Sequence, residues 1–171
     1  MKSQIPTATK DIQVPAEILY NIIADYRQMH WLILPKQYFL SLEVEEGGFG
    51  AGTLINFAMR ILGQTQSFHS LITEPEPDRL LVETDIKSGI ATSFHSVPIE
   101  KDGQTRVTIS TELKGRNFLE AWIAKMMLQK IYRLELDLLA QVGEEQAHGK
   151  RSGNLNQSQR TPNADELSDD E

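Results

Sequence analysis

Two histidines in predicted strands are the side chains best suited to chemistry in this sequence. His69 and His95 each lie in the middle of a strand-like segment. A histidine that faces an apolar cavity can act as a general acid or base, or can orient a ligand carbonyl. A structural role, as a solvated or hydrogen-bonded side chain, is the more common one. Both are therefore candidate catalytic residues, and for His69 the sequence does not favour either face of its strand.

The orientation of His95 depends on the register of one predicted hairpin. If Lys101 pairs with Thr105, His95 shares the inward face of the sheet with Val97. If Lys101 instead pairs with Gln104 around a two-residue turn, the parity reverses and His95 faces outward, because a slip of one residue changes faces. The apolar residues beside His95 favour the inward orientation, so His95 is also a candidate ligand contact.

Other common kinds of catalytic site find little support. The sequence has no cysteine, which excludes disulfides, thiolate catalysis and Cys-ligated metals. Its histidines show no ligand spacing such as His-x-x-x-His, so we expect no metal site. No Gly-x-Ser-x-Gly elbow is present. Glu83 and Asp85 share one face of a strand whose other face carries Val82 and Ile86, and we expect the two carboxylates to face solvent.

The composition is typical of one folded domain followed by an acidic tail. The 171 residues are 40% hydrophobic and carry a net charge of −7. Residues 143–171 contain seven acidic and three basic residues in a segment rich in Gly, Gln, Asn and Ser, which predicts disorder. Such a tail either recruits a basic partner protein or only keeps the protein soluble. We expect a domain at 1–142 and a disordered tail at 143–171.

Charge and hydropathy also limit the partners. The nearly neutral folded part offers no basic surface for phosphate-driven binding, so no nucleic-acid partner is expected. No apolar run approaches the roughly 18 residues that a membrane span needs. Lys2 is not followed by the apolar segment of a signal peptide. We therefore expect a cytoplasmic protein without stable membrane insertion.

The predicted elements occur in an informative order. A strand at 7–14 leads into two short helices within 14–31, and strand-like segments then follow one another from 38 to 113. The connections between these segments are short, which predicts an antiparallel meander. A sheet of this kind must bury one of its faces.

One long amphipathic helix at 117–142 closes the predicted fold. Asn117 is a good N-cap, and an apolar stripe with helical spacing runs along the helix, where Trp122 and Met126 widen it. The stripe matches the face that the sheet must bury. The sequence therefore predicts a helix held in a curved sheet, a shape that can leave a cavity.

Three local patterns stand in a characteristic order. They are Ile12-x-Val14-Pro15-Ala16-Glu17 with Asp25-Tyr26 and Trp31 after it, Ile72-x-Glu74-Pro75 with Arg79-Leu80, and Gly103-x-Thr105-Arg106-Val107-Thr108. Together they resemble the START/Bet v 1-like superfamily and, within it, the bacterial polyketide cyclase/dehydrase-like (SRPBCC) proteins. The resemblance covers about residues 7–142.

The resemblance implies an α+β helix-grip fold. In this fold a curved, seven-stranded antiparallel sheet surrounds a long C-terminal helix, two short helices follow the first strand, and an apolar cavity lies between sheet and helix. Members of the superfamily bind or transport lipids, sterols, hormones and quinones, some cyclise or dehydrate polyketides, and others activate a chaperone. Fold alone does not decide among these functions.

The family places apolar side chains of this kind around the cavity, so four of them become candidate ligand contacts beside His95. They are Phe57, Met59, Trp122 and Met126. Plain core packing is the alternative for each. We expect binding or transport of a hydrophobic small molecule such as a lipid, quinone, isoprenoid or polyketide-like compound, with no cofactor. The alternatives are a cyclase/dehydratase-type enzyme with a cavity His or carboxylate, and an interaction module such as a chaperone cofactor.

Overall fold

The structure, a computed structural model, describes residues 5–99, 103–113 and 118–158, with side chains from 123 to 150 in the last range. The elements in chain order are β1 (Thr7–Ile12), α1 (Ala16–Ala24), α2 (His30–Ile33), β2 (Phe39–Glu46), β3 (Leu54–Ile61), β4 (Gln64–Glu76), β5 (Leu80–Asp85), β6 (Ala91–Pro98), β7 (Thr105–Glu112) and α3 (Phe118–Ser158).

In the described part of the chain, seven strands form one antiparallel sheet in the order β1-β7-β6-β5-β4-β3-β2. Consecutive strands from β2 to β7 are neighbours, and β1 completes the sheet by pairing with β7 through Thr7↔Ser110 to Ile12↔Thr105. The predicted meander and the predicted helix-grip α+β fold are confirmed. The short turns between strands explain why each strand pairs with the next one in the chain.

The two short helices cover one end of the sheet. Pro15, at φ −57°, precedes the first residue of α1 and supplies the backbone angle that a helix start requires. Leu19, Ile22 and Ile23 of α1 are buried in the core. The second helix, α2, begins at His30 and extends to Ile33, slightly beyond the predicted range.

The closing helix α3 is longer than its apolar stripe predicts. It continues past residue 142 to Ser158. Gly143 is buried, and a Cβ built on it would lie 2.6 Å from Cδ2 of Leu19 and 3.5 Å from the methyl groups of Val14. The expectation of disorder from residue 143 onward is therefore wrong for 143–158, because this first part of the predicted tail is helical and its beginning packs on α1. The predicted N-cap Asn117 and residues 159–171 lie outside the described residues.

Candidate functional site

A cavity of about 110 Å³ lies between the inner face of the sheet and α3. Its walls are mainly apolar, and an aromatic cluster forms one side. The rings of Phe57 and Phe68 are stacked with their centroids 5.0 Å apart, and the centroid of Phe39 lies 6.2 Å from that of Phe57. Met127 and Leu128 of α3 close the opposite side.

The strands present these side chains for simple geometric reasons. Alternate residues of β3, which include Ile55, Phe57 and Met59, line the cavity. In β2 the register shifts between Phe39 and Ser41, so Phe39 and Leu42 both reach the cavity although they are three positions apart. The irregularity changes the face of part of β2, a change that residue alternation alone would not predict.

A polar group at the cavity is centred on His30. This side chain is 2% exposed, and its Nδ1 lies 2.6 Å from the carbonyl oxygen of Ile23. Because a carbonyl only accepts, Nδ1 carries the proton and the neutral ring leaves Nε2 as an acceptor. Nε2 lies 3.5 Å from Oε1 of Glu83, and the hydroxyl of Tyr26 donates to that same oxygen at 2.7 Å. Tyr26 also stacks on His30, with centroids 4.3 Å apart.

Burial sets the charges of this pair. It lowers the pKa of His30 to about 4, although the hydrogen bond to Ile23 works in the opposite direction. Burial also raises the pKa of Glu83 to about 7, against the effect of the Tyr26 hydroxyl. Near pH 7 the imidazole is therefore neutral and the carboxyl is close to its titration midpoint. Such a pair can take up or release a proton within an apolar site.

A second carboxyl group, that of Glu135, faces the same space from α3. Glu135 lines the cavity and is 2% exposed. Burial, with a smaller contribution from Glu83, raises its pKa well above the usual value and so favours its protonated, uncharged form. One turn earlier, the hydroxyl of Tyr132 hydrogen-bonds to Oγ1 of Thr111, which lies 2.7 Å from Oγ1 of Thr92. The cavity thus combines apolar walls with a set of uncharged donors and acceptors.

Asp85 is the carboxylate that remains ionised. Burial acts to raise its pKa, but hydrogen bonds from Ser88 and from the backbone N–H of His69 outweigh it, and the pKa is lowered. The Ser88 hydroxyl and N–H donate to Oδ2 at 2.6 and 2.7 Å, and the His69 N–H donates to Oδ1 at 2.9 Å. Asp85 therefore contributes a fixed negative charge to the cavity wall.

The predicted ligand contacts divide into three groups. Phe57 and Met59 line the cavity, and their contact with a ligand stays a prediction. Trp122 belongs to α3, but its side chain lies outside the described part. Met126 is 55% exposed and does not line the cavity, so its predicted position is wrong. The side of α3 that faces the cavity instead includes Ala124 and Leu128, which lie two positions before and after Met126.

His95 faces away from the cavity, and the expectation that it points inward is wrong. It pairs with Thr108 in β7, while its neighbours Phe94 and Ser96 are buried on the inner face. In the hairpin Val97 pairs with Arg106. This pairing has the parity in which His95 faces outward, the alternative that the apolar residues beside His95 did not favour. Those neighbours misled the prediction because the outer face of this strand also carries partly buried residues.

His69 also lies on the outer face. It pairs with Asn56 in β3, and its Nε2 is 2.9 Å from Oε2 of Glu45. The candidate catalytic histidines are therefore both outside the cavity, whereas His30 lines it. No spacing in the sequence marks His30 as a site residue, because its partner Glu83 lies far away along the chain and is brought close only by the folded sheet.

The expectation that Glu83 and Asp85 face solvent is wrong as well. Both are buried on the inner face of β5, whereas Ile86, on the opposite face of the predicted strand, is 58% exposed. The residues of β5 alternate between the two faces as predicted, but the face that carries Glu83 and Asp85 is the buried one. Leu81 lies on the same face of the strand as the two carboxylates and is buried. This apolar residue was the feature of the sequence that indicated an inner face.

The described residues contain no group of three or more His, Cys, Asp or Glu side chains arranged to hold a metal ion. They also include no helix that is both long and apolar enough to cross a membrane.

Comparison with known proteins identifies relatives of this chain. A family model described as "Polyketide cyclase / dehydrase and lipid transport" matches residues 5–144. A comparison with curated proteins finds no match.

Solved structures share the fold at low sequence identity. The KanY protein has a TM-score of 0.74 at 19% identity, and the alignment covers 84% of this chain and 99% of that one. The Zhui aromatase/cyclase from a Streptomyces species has a TM-score of 0.68 at 12% identity, with 84% and 94% covered. A START superfamily protein from Mycobacterium smegmatis has a TM-score of 0.63 at 13% identity, with 82% and 97% covered.

Proposed function

Because this chain belongs to the polyketide cyclase/dehydrase and lipid transport family, we propose that it binds a hydrophobic small molecule between its sheet and α3. Lipids, quinones, isoprenoids and polyketide-like compounds are the classes that fit. The observation that carries the proposal is the cavity, whose walls of Phe57, Phe68 and Leu128 are apolar while His30 and Glu135 offer hydrogen bonds. Most small-molecule sites combine apolar walls with a few polar groups in this way.

The size of the cavity indicates how a ligand is accommodated. Its volume of about 110 Å³ is smaller than the roughly 300–1,000 Å³ of drug-sized ligand sites. Burial of ~100 Å² of apolar ligand surface contributes about 2.5 kcal/mol at 25 cal/mol per Å², so a micromolar ligand must bury more. The flexible side chains of Met59 and Met127 line the cavity, and their adjustment would widen it.

The direct test is native mass spectrometry of the purified protein, followed by solvent extraction. A released apolar compound would support the proposal and identify its class. Binding of the uncharged fluorescent reporter N-phenyl-naphthylamine provides a second readout, since its emission rises in apolar surroundings. A protein that releases no apolar compound and does not enhance reporter fluorescence would contradict the proposal.

A matched pair of variants on α3 locates the binding. Ala124→Phe fills the cavity and is expected to weaken reporter binding about tenfold or more, equivalent to roughly 1.4 kcal/mol, because Ala124 lines the cavity. Met126→Phe adds an aromatic ring on the exposed side of the same helix turn and should leave the affinity unchanged. Reporter titrations measure both, and far-ultraviolet circular dichroism confirms folding. Equal affinities in the two variants would place the reporter elsewhere.

The His30–Glu83 pair favours a second candidate function, an enzyme of the cyclase/dehydratase type. The pair lines the cavity, holds a proton near neutral pH and is oriented by Tyr26. A test that needs no known substrate is deuterium incorporation beside the carbonyl of a bound apolar ketone in heavy water. Incorporation that His30→Gln abolishes while reporter binding persists would support catalysis. Absence of incorporation in the wild type would favour simple binding.

The acidic tail is the predicted contact for a protein partner. The most acidic part of that tail, at 165–171, falls outside the described residues. Recruitment of a protein through it stays a prediction.

A further inference from the structure

Glu135 stands out among the buried polar groups because nothing in the described structure explains its burial. Its side chain lines the cavity from α3 and is almost fully buried. Within the described residues it forms no hydrogen bond, and the neighbouring carboxyl of Glu83 repels its ionised form. Buried polar groups nearly always have a hydrogen-bond partner, so an exception that faces a cavity requires an explanation.

Among the residues that the structure describes, the charged and titratable groups that face Glu135 include no Lys or Arg. Glu83 and Asp85 face the cavity from β5, His30 faces it from α2, and Tyr132 lies on α3 itself. The hydroxyl of Tyr26 reaches the same site through its bond to Glu83. Among the described lining residues there is no Lys or Arg, and His30 is neutral.

This environment determines the hydrogen-bonding role of Glu135. A buried carboxylate without a cation is costly, and two neighbouring carboxyl groups increase that cost. The carboxyl therefore keeps its proton and presents an O–H donor to the cavity. A protonated carboxyl in an apolar site can donate a hydrogen bond to a ligand.

We propose that Glu135 determines ligand specificity by donating a hydrogen bond to the carbonyl oxygen of an uncharged apolar ligand and by excluding ligands that carry a carboxylate. The inference rests on the proposed function, since it names the chemical class that the same cavity selects. A bound carbonyl would supply the hydrogen-bond acceptor that the described residues do not provide. This accounts for a polar side chain buried at this position.

Charge is the reason for the exclusion. A carboxylate would enter a site that already holds ionised Asp85 and partly ionised Glu83, with no Lys or Arg lining it in the described part. Binding would require protonation of the ligand or burial of an unpaired anion, both of which are unfavourable. An ammonium ligand would lose its hydration, and the Asp85 carboxylate that would attract it already accepts hydrogen bonds from Ser88 and from the backbone N–H of His69. A ketone loses less hydration and finds the donor already formed.

The experiment displaces N-phenyl-naphthylamine with three naphthalenes that differ in one substituent. Acetylnaphthalene carries a neutral carbonyl, naphthoate a carboxylate and aminomethylnaphthalene an ammonium group. At pH 7 acetylnaphthalene is expected to bind at least about 30-fold more tightly than naphthoate, which corresponds to a difference in binding free energy of roughly 2 kcal/mol. Aminomethylnaphthalene should compete with the reporter more weakly than the ketone does. Tighter binding of naphthoate or of the amine would overturn the proposal.

Two variants test the residue itself. Glu135→Gln keeps a donor of similar shape and should retain ketone affinity within about threefold, whereas Glu135→Leu keeps the volume without the donor and should weaken it about tenfold. Equal ketone affinity in wild type and Glu135→Leu would exclude the donor role. Reporter binding to the wild type separates the two claims. If the wild type binds the reporter but does not prefer the ketone, specificity through Glu135 fails alone, and if the wild type does not bind the reporter, the proposed function fails too.

Discussion

Glu83→Gln is expected to lose about 3 kcal/mol more stability than wild type between pH 7 and pH 4. The cause is His30, whose folded-state pKa of about 4 lies below the usual 6.5. A group with a lowered folded-state pKa contributes stability above its unfolded pKa, and that contribution is lost as the pH falls through the folded value. The buried imidazole must gain a proton in the same range in which the unfolded chain gains it easily.

In wild type Glu83 compensates for this loss. Its folded-state pKa of about 7 is raised above the usual 4.5. Its contribution to stability is complete below the unfolded pKa and is lost as the pH rises through 7. From pH 4 to pH 7 the contributions of His30 and Glu83 therefore change in opposite directions by similar amounts, and the folded pair stays largely uncharged. In Glu83→Gln the contribution of Glu83 is absent, so the loss of stability that His30 causes as the pH falls is no longer offset.

Urea unfolding at pH 4, 5, 6 and 7 measures the effect. Glu43→Gln is the control, because Glu43 is an exposed carboxylate of β2 and its replacement should follow the wild-type profile. The other groups that act on the pair, which are Asp25, Lys36, Tyr26 and Glu135, are the same in every variant. His30→Gln should show the mirror image, with stability that rises as the pH falls. Parallel profiles for wild type and Glu83→Gln would refute the compensation.

The second large effect is expected at Gly143, which should not tolerate a branched side chain. Gly143→Val is predicted to lower the free energy of unfolding by about 3 kcal/mol, as expected for overpacking of a buried contact. The first added atom would already lie 2.6 Å from Cδ2 of Leu19, a fully buried side chain of α1. Separation of α1 from α3 would relieve the clash but would open the end of the core.

Gly149 is the matched control in the same helix. A Cβ at this position would meet no atom within 4 Å. Gly149→Val should therefore change stability by less than about 0.5 kcal/mol, since valine has a somewhat better helix propensity than glycine. Chemical denaturation of both variants gives the comparison. Equal stability of the two would show that α3 does not pack on α1 at Gly143.

Most of the architecture was predictable because it depends on local order along the chain. Short turns between alternating segments lead to a meander, and Pro15 marks the start of α1. The length of α3 was not predictable from its apolar stripe. At Gly143, just beyond the stripe, α3 approaches Leu19 of α1 so closely that there is no room for a side chain.

The cavity was harder to predict because each strand offers two faces and the sequence does not label them. Glu83 and Asp85 were assigned to solvent by the rule that carboxylates are exposed, a rule that a ligand cavity can reverse. The orientation of His95 depended on a register that differs by one residue between its two alternatives. His30 and Glu135 come from distant helices, and only the folded sheet brings them to the same space.

The pairing of β1 with β7 has a consequence for the newly made protein. During synthesis β1 leaves the ribosome first, but its partner β7 follows only after all the other strands. The hairpins from β2 to β7 can form one after another, whereas β1 must wait and then close a long loop. Throughout that interval β1 is an unpaired strand, a state prone to wrong pairing with neighbouring chains. The vulnerable period of this fold is therefore set by the rate of translation.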